Sequence, residues 1–367
     1  MLHRGDTTMK ISRTLVSAAA IGIGLAAAAG AQAQEGVAEG DTSDARIALS
    51  NNYAGNSWRQ SMLQSWAEVS DKATGEGLVA EAPAFTTAEN QATEQAAQIQ
   101  NLILEGYDAI VVNAASPTAL NGTIKQACDA GITVVSFDGI VTEPCAWRIV
   151  IDFAGMGRTQ MDYLAERLPD GGNVLEIRGL SGVFVDDEIH KGIQEGVVEH
   201  PQFEIVGSVH GDWTQTVAQR EVAGILPTLP VIDAVVTQGG DGYGAAQAFE
   251  AADRDLPIII MGNRHDELTW WKEQHDATGY TTMSLSIAPA ASQVAFWVAQ
   301  QVLAGKDVPK DIQLPTLVVT QDELDYWLER TPEGGVTNAT YPLDWVVQVI
   351  DATVAGEEVP PTPTPEG

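Results

Sequence analysis

Short runs of β-branched and aliphatic residues recur along this chain, and amphipathic stretches of roughly 10–20 residues separate them. Arg46–Ser50, Tyr107–Val112, Ile132–Phe137, Val174–Ile177, Phe203–Gly207, Ala234–Thr237 and Pro257–Met261 read as strands. Trp58–Lys72, Thr87–Glu105, Ala119–Ala130, Asp187–Glu199, Thr214–Leu226, Gly244–Ala252 and Ala290–Leu303 read as helices. In the first helix Met62, Trp66 and Val69 share one face. Apolar strands that alternate with helices belong in a parallel sheet, since helices on both faces are what covers them. The theme runs twice, so the expected fold is α/β, with two doubly wound parallel-sheet lobes. No linker rich in Gly, Pro or Ser divides the halves. The lobes are therefore expected to be joined by ordered segments, as a multi-segment hinge.

Lys10 and Arg13, the apolar run Leu15–Ala29 and the small-residue stretch Ala31-Gln32-Ala33 read as a cleavable export signal over residues 1–33. Met9 fits that pattern as a start better than Met1 does. The run is shorter than the ~20 residues of a membrane span. The expectation is a soluble periplasmic protein. Its lobes are expected over 44–151 plus 287–317 and over 152–286 plus 318–357, with a disordered Pro-rich tail at 358–367. The formal net charge is −31. The signal segment holds Arg4, Lys10 and Arg13 against Asp6, so the exported part is more acidic still. Such a surface repels phosphate backbones, and no nucleic-acid partner is expected. Cys128 and Cys145 invite a disulfide in an oxidising compartment, the alternative being two buried thiols. Two cysteines without a clustered His set hold no structural zinc, and no metal site is expected.

Three stretches, taken in order, carry a family likeness. Ile47-Ala-Leu-Ser50, Asn51 to Asn56 and Ser57-Trp58-Arg59 form a strand, a polar loop and an aromatic entry to a helix. Gly106-Tyr-Asp-Ala-Ile-Val-Val112 with Ala115-Ser-Pro117, and then Gly131-Ile-Thr-Val-Val-Ser-Phe-Asp138, form two strand ends. Gly211-Asp-Trp-Thr214, Gln238 to Asp241 and Gly262-Asn263 form three more. Over roughly Ala45 to Thr320 the chain resembles the ribose-binding family of periplasmic sugar-binding proteins. In that family an aromatic pair enters the first helix, and here Arg59 replaces the second aromatic. The family's sugar-binding Asp is usually followed by Arg; Asp138 matches, but Gly139 stands in place of the Arg. The first departure points to a ligand more polar or more acidic than ribose; the second removes one strong donor, for which Arg59 would compensate.

The resemblance implies a type I periplasmic binding protein fold and a solute-binding component of an ABC transporter. It would capture a small sugar, polyol or sugar acid between its lobes and deliver it to the membrane permease. It would act as a monomer, with no cofactor and no catalysis. The alternative is a sensory protein that presents the liganded form to a chemoreceptor or histidine kinase. A sugar offers apolar faces and a rim of hydroxyls, so flat aromatics and hydrogen-bonding side chains suit it. Trp58 and Trp213 would cover the faces from opposite lobes. Asp138, Asn56, Gln238, Asp241 and Asn263 would meet the rim, with Ser50, Asn51, Arg59 and Ser286 nearby. Asp186 and Asp187 read as caps of the following helix, Asp187 also as a further ligand contact. Trp66, Trp297 and Trp327 read as core. Gly240 to Ala245 matches a dinucleotide fingerprint alone, without the ribose-binding acid that should follow, and no hydrolase motif is present.

Overall fold

The computed structural model describes residues 36–88 and 90–363. The expected export signal and the last four residues of the Pro-rich tail lie outside them. In chain order, β1 (Ile47–Asn51), α1 (Ser57–Gly75), β2 (Ala84–Thr86), α2 (Ala92–Glu105), β3 (Ala109–Asn113), α3 (Asn121–Asp129), β4 (Thr133–Phe137) and β5 (Trp147–Val150) build the first lobe. The second holds α4 (Phe153–Arg167), β6 (Gly172–Arg178), α5 (Phe184–Glu199), β7 (Phe203–His210), α6 (Gln215–Ile225), β8 (Ala234–Val236), α7 (Gly242–Ala251), β9 (Ile258–Ile259) and α8 (His265–Thr278). The chain then passes through β10 (Ser284–Ser286), α9 (Ala291–Leu303), β11 (Asp311–Gln313), β12 (Leu317–Val319), α10 (Leu324–Arg330) and α11 (Leu343–Ala355).

The first sheet has the order β11-β5-β4-β3-β1-β2, and all its pairings are parallel. The second, β7-β6-β8-β9, is also parallel. Strand side chains alternate between two buried faces, which is why these strands read as continuous apolar runs. Ile47, Leu49, Val111, Val135 and Phe137 join the core under α1 and α9, whereas Ala48, Ile110, Val112 and Val134 join the core under α2 and α3. In the second sheet Leu175, Ile177 and Val235 face α6 and α7, while Val174, Ala234 and Val236 face α4 and α5. Each large side chain buried this way stabilises the fold by about 1.5–3 kcal/mol. Trp66, Trp297 and Trp327 are all buried.

The chain crosses between lobes after β5, after β10 and between β11 and β12. The short pair β10–β12 is antiparallel and is attached to the second sheet through Met261, which bridges to Ser284. A further crossing corrects the expected lobe boundary. The sequence reading places residues 318–357 together in the second lobe; β12 and α10 do lie there, α10 against α8, but α11 packs against α9 and β11 of the first lobe. Residues 331–342 link the two as a strap. The Thr337 backbone pairs with Asn263 of the second lobe, while Asn338 reaches Ser65 and Ala290 N, and Tyr341 N donates to Gln293. The reason is the apolar stripe Trp345, Val346, Val349 and Ile350 on α11, which the first lobe buries. The tail beyond it is docked as far as it is described: Pro361 accepts a hydrogen bond from the Trp345 indole, and Val359 packs on the core. Cys128, at the end of α3, is joined by a disulfide to Cys145, just before β5. Among the described residues no helix is long and apolar enough to cross a membrane.

Candidate functional site

Parallel sheets present their ligand sites at the carboxyl ends of their strands. Here the loop after β1 meets the loops after β7 and β9 and the strap. Gly55, Asn56 and Ser57 on one side, Thr214, Arg264 and Asp266 on the other, and Gly334 and Gly335 of the strap line a cleft of about 290 Å³. That is at the small end of the ~300–1,000 Å³ range of ligand cavities.

On the first-lobe wall Asn56 caps α1, its side chain accepting from Arg59 N at 2.8 Å. One turn on, the Arg59 guanidinium pairs with Asp138 at 2.9 Å, and both side chains are largely buried. Asp138 sits at φ 55°, a left-handed conformation that Asp tolerates, and accepts from Asn113 at 3.1 Å. Burial raises the Asp138 carboxyl above its ordinary value, and the Arg59 charge opposes that; burial lowers the Arg59 guanidinium, and Asp138 opposes that. Arg59 Nη1 is buried and has no hydrogen-bond partner among the described residues. No arginine side chain fits at position 139. A Cβ there would lie 2.3 Å from the Ala114 carbonyl oxygen. The first-lobe cation therefore comes from α1.

The Trp58 indole donates to the Ile287 carbonyl at 2.9 Å, beside the β10–α9 crossing, and its ring lies 5.2 Å from the Arg59 guanidinium carbon. Ser50 and Asn51 are buried at the end of β1 and hold the first lobe together. Ser50 donates to Gln98, and Asn51 donates to Tyr53 O. Ser286 is buried in β10, and its hydroxyl has no partner among the described residues.

In the second lobe Trp213 also has a left-handed backbone, at φ 52°. Its indole lies so close to Gly179 that a Cβ there would sit 2.2 Å from the ring. Gln238 accepts from Gly179 N and donates to Asp186, so its amide is fully engaged within the lobe. Asn263 donates to Thr337 O and accepts the strap in return through its own carbonyl. Asp186 and Asp187 do not cap α5, which corrects the sequence expectation. The helix starts at Phe184, Val183 is its N-cap, and Arg178 draws both carboxylates to itself.

Arg264 was missed by sequence reasoning. It directly follows Asn263, at the N-cap of α8, where the residue after a strand end enters the cleft. Its guanidinium rests on Gly240 and donates to Trp213 O at 2.7 Å. Behind it Glu267 accepts from Gly242 N, Gly262 N and Arg264 N, which ties the two glycine loops together. Asp241 is fully buried, and neither of its carboxylate oxygens has a hydrogen-bond partner among the described residues. Burial, reinforced by the Glu267 charge and partly offset by Arg264, holds this carboxyl well above its ordinary value of 3.8. In the unfolded chain it would ionise near that value, while the folded protein keeps the proton. This group's contribution is therefore fully present at low pH and is lost as pH rises above 3.8 toward the raised folded value. Asp241→Asn should remove that slope. Urea unfolding at pH 4 and pH 7 should show the variant gaining on wild type at pH 7; equal differences at the two pH values would contradict the assignment.

The comparisons with known proteins agree with this geometry. Residues 47–307 match the family described as periplasmic binding protein domain. The xylitol-binding protein of Mycolicibacterium smegmatis is 26% identical over 269 residues, 72% of this chain and 75% of that protein. The ribose import binding protein of Bacillus subtilis is 23% identical over 236 residues, 64% of this chain and 75% of that one. The crystal structure of an ABC transporter solute binding protein from Thermobispora bispora superposes with a TM-score of 0.80 at 33% identity, covering 88% of this chain and 99% of that one.

Proposed function

We propose, from the premise that this chain belongs to the periplasmic binding protein domain family, that it is an exported receptor for a small sugar, polyol or sugar acid. The family consists of sugar-binding proteins that are not enzymes. In this reading the protein acts in the periplasm as a monomer and hands its ligand to the permease of an ABC transporter; the Thermobispora bispora relative is described as an ABC transporter solute binding protein. Its domains are a first lobe over 44–151, 287–317 and α11, and a second over 152–286 with α10.

The observation that supports this reading best is the Arg59–Asp138 pair beside the cleft. It offers a fixed acceptor and a buried donor, Arg59 Nη1, that no described residue uses. A ring of hydroxyls needs such alternating donors and acceptors. Trp58 and Trp213 would meet the apolar faces, with Asn56, Ser286 and the second-lobe residues Gln238, Asp241 and Asn263 bracing or completing the rim. Ser50, Asn51 and Asp187 would act only through their neighbours. Closing of the lobes over the ligand would then be a population shift, driven by contacts that the closed form alone makes.

A thermal-shift panel of pentoses, hexoses, polyols and sugar acids tests this. A ligand at 100 times its Kd stabilises by about 2.7 kcal/mol, a shift of several degrees. One class should shift the protein. A folded sample, free of co-purified ligand, that no panel member moves would reject the reading.

A further inference from the structure

We infer that the ligand of this cleft carries a carboxylate on a polyhydroxylated skeleton, and that Arg264 receives it. This rests on the sugar-receptor reading above and narrows it. The chain holds 50 acidic residues against 19 Lys and Arg. In such a chain a guanidinium finds a carboxylate easily. Arg46, Arg59, Arg148, Arg158, Arg178, Arg220 and Arg330 each pair with one. Arg264 has no ion pair among the described residues, although it lines the cleft. Arg167 and Arg254 lack carboxylates too, but each spends its donors on several oxygens: Tyr163 and Thr281 for Arg167, Leu226, Leu229 and Pro230 for Arg254. Arg264 has a single hydrogen-bond acceptor among the described residues, Trp213 O. A guanidinium has five N–H donors in a planar fork, which matches a carboxylate edge-on.

The nearby acids are engaged elsewhere. Asp266 lines the same cleft, but its Oδ1 accepts from Gln215 and from Glu267 N in the first turn of α8. The Glu267 oxygens hold three backbone N–H groups. Asp241 makes no ion pair among the described residues, and burial holds it toward its neutral form against the pull of the Thr214 backbone N–H and of Arg264. Across the cleft Asn56 and Ser57 supply uncharged rim contacts, and the charge of Arg59 is already met by Asp138. The cleft thus has one guanidinium with no direct ion pair among the described residues, although the buried Asp241 and Glu267 carboxyls lie within reach of its charge, and it belongs to the second lobe. A ligand carboxylate on Arg264 would also help hold the second lobe against the first.

Isothermal titration of matched pairs tests this: D-gluconate against D-glucitol, D-ribonate against ribitol, D-galacturonate against D-galactose. The acid of at least one pair should bind about 10- to 100-fold tighter than its neutral partner, the range of one charged hydrogen-bonded contact. Arg264→Gln should bring that ratio close to one, and Arg264→Lys should keep part of it, with unfolding midpoints confirming that both variants fold. If the neutral partners bind as well as the acids, the inference fails and the sugar reading stands. If the acid preference survives in Arg264→Gln, the assignment to Arg264 fails. If no acid and no neutral partner binds the folded wild type, the sugar reading itself fails and this inference with it.

Discussion

Asp138→Asn is expected to lower the unfolding free energy by about 3–5 kcal/mol, the cost of stripping one partner from a buried ion pair. The asparagine keeps the left-handed backbone and the contact region of Asn113, so the loss isolates the charge. What remains is a buried Arg59 guanidinium, which cannot shed its proton. The opposite change, Arg59→Met, should cost less at low pH, because the stranded carboxyl can take up a proton. Burial already pushes Asp138 upward, so the penalty of Arg59→Met should grow as pH rises above 3.8 through the folded value. The double variant should recover most of the stability and none of the ligand affinity. Urea titrations of the four proteins at pH 4 and pH 7 decide this. Equal penalties for the two single variants at both pH values would mean that the pair does not carry its charges in the native state.

Gly192→Leu is the second large effect. Where α4 crosses α5 the backbones touch: a Cβ on Gly192 would lie 1.9 Å from Ala154 O, and one on Gly157 would lie 2.4 Å from Ile189 O. A leucine must force the helices apart, and overpacking of this kind costs about 1–3 kcal/mol or more. Helix propensity alone would favour the change by about 1 kcal/mol, so the sign of the result separates the two effects. Gly224→Ala in α6 is the control. No atom lies within 4 Å of its added Cβ, and it should stabilise by up to about 1 kcal/mol. If Gly192→Leu is as stable as wild type in thermal unfolding, the close crossing does not exist in solution.

Strands buried on both faces were legible because their composition is the same whichever face is read. The pattern over Ile132–Phe137 predicts a strand, and Thr133–Phe137 is one. β2, β5, β11 and the pair β10–β12 escape the sequence pattern because three or four residues at a sheet edge or a crossing carry too little of it. The sequence pattern starts α2 too early, at Thr87 rather than Ala92, because the short strand before it carries too little pattern to mark the boundary. The sequence reading assigns no helix over α4, α8, α10 or α11, and it puts α11 with the wrong lobe because packing partners are not written in periodicity. At the site, the family likeness singles out Asn56, Asp138 and Trp213, and the positions of Asn56 and Asp138 after strands support it. Arg264 follows a strand by the same rule, but the family pattern drew attention to Asn263 beside it. The engagement of Gln238 and Asn263 by backbone partners inside their own lobe depends on loops that meet only in three dimensions.

The strap that returns α11 to the first lobe has a practical consequence for optical reporters. Gly36 N donates to Asp351 at the far end of α11, and Ala38 N donates to Gln301 on α9, so both ends of the described chain are moored to one body. Two fluorophores fused at those ends would travel together, and their separation would not register a change in the angle between the lobes. A reporter built on this protein needs one dye placed in an exposed turn of the second lobe.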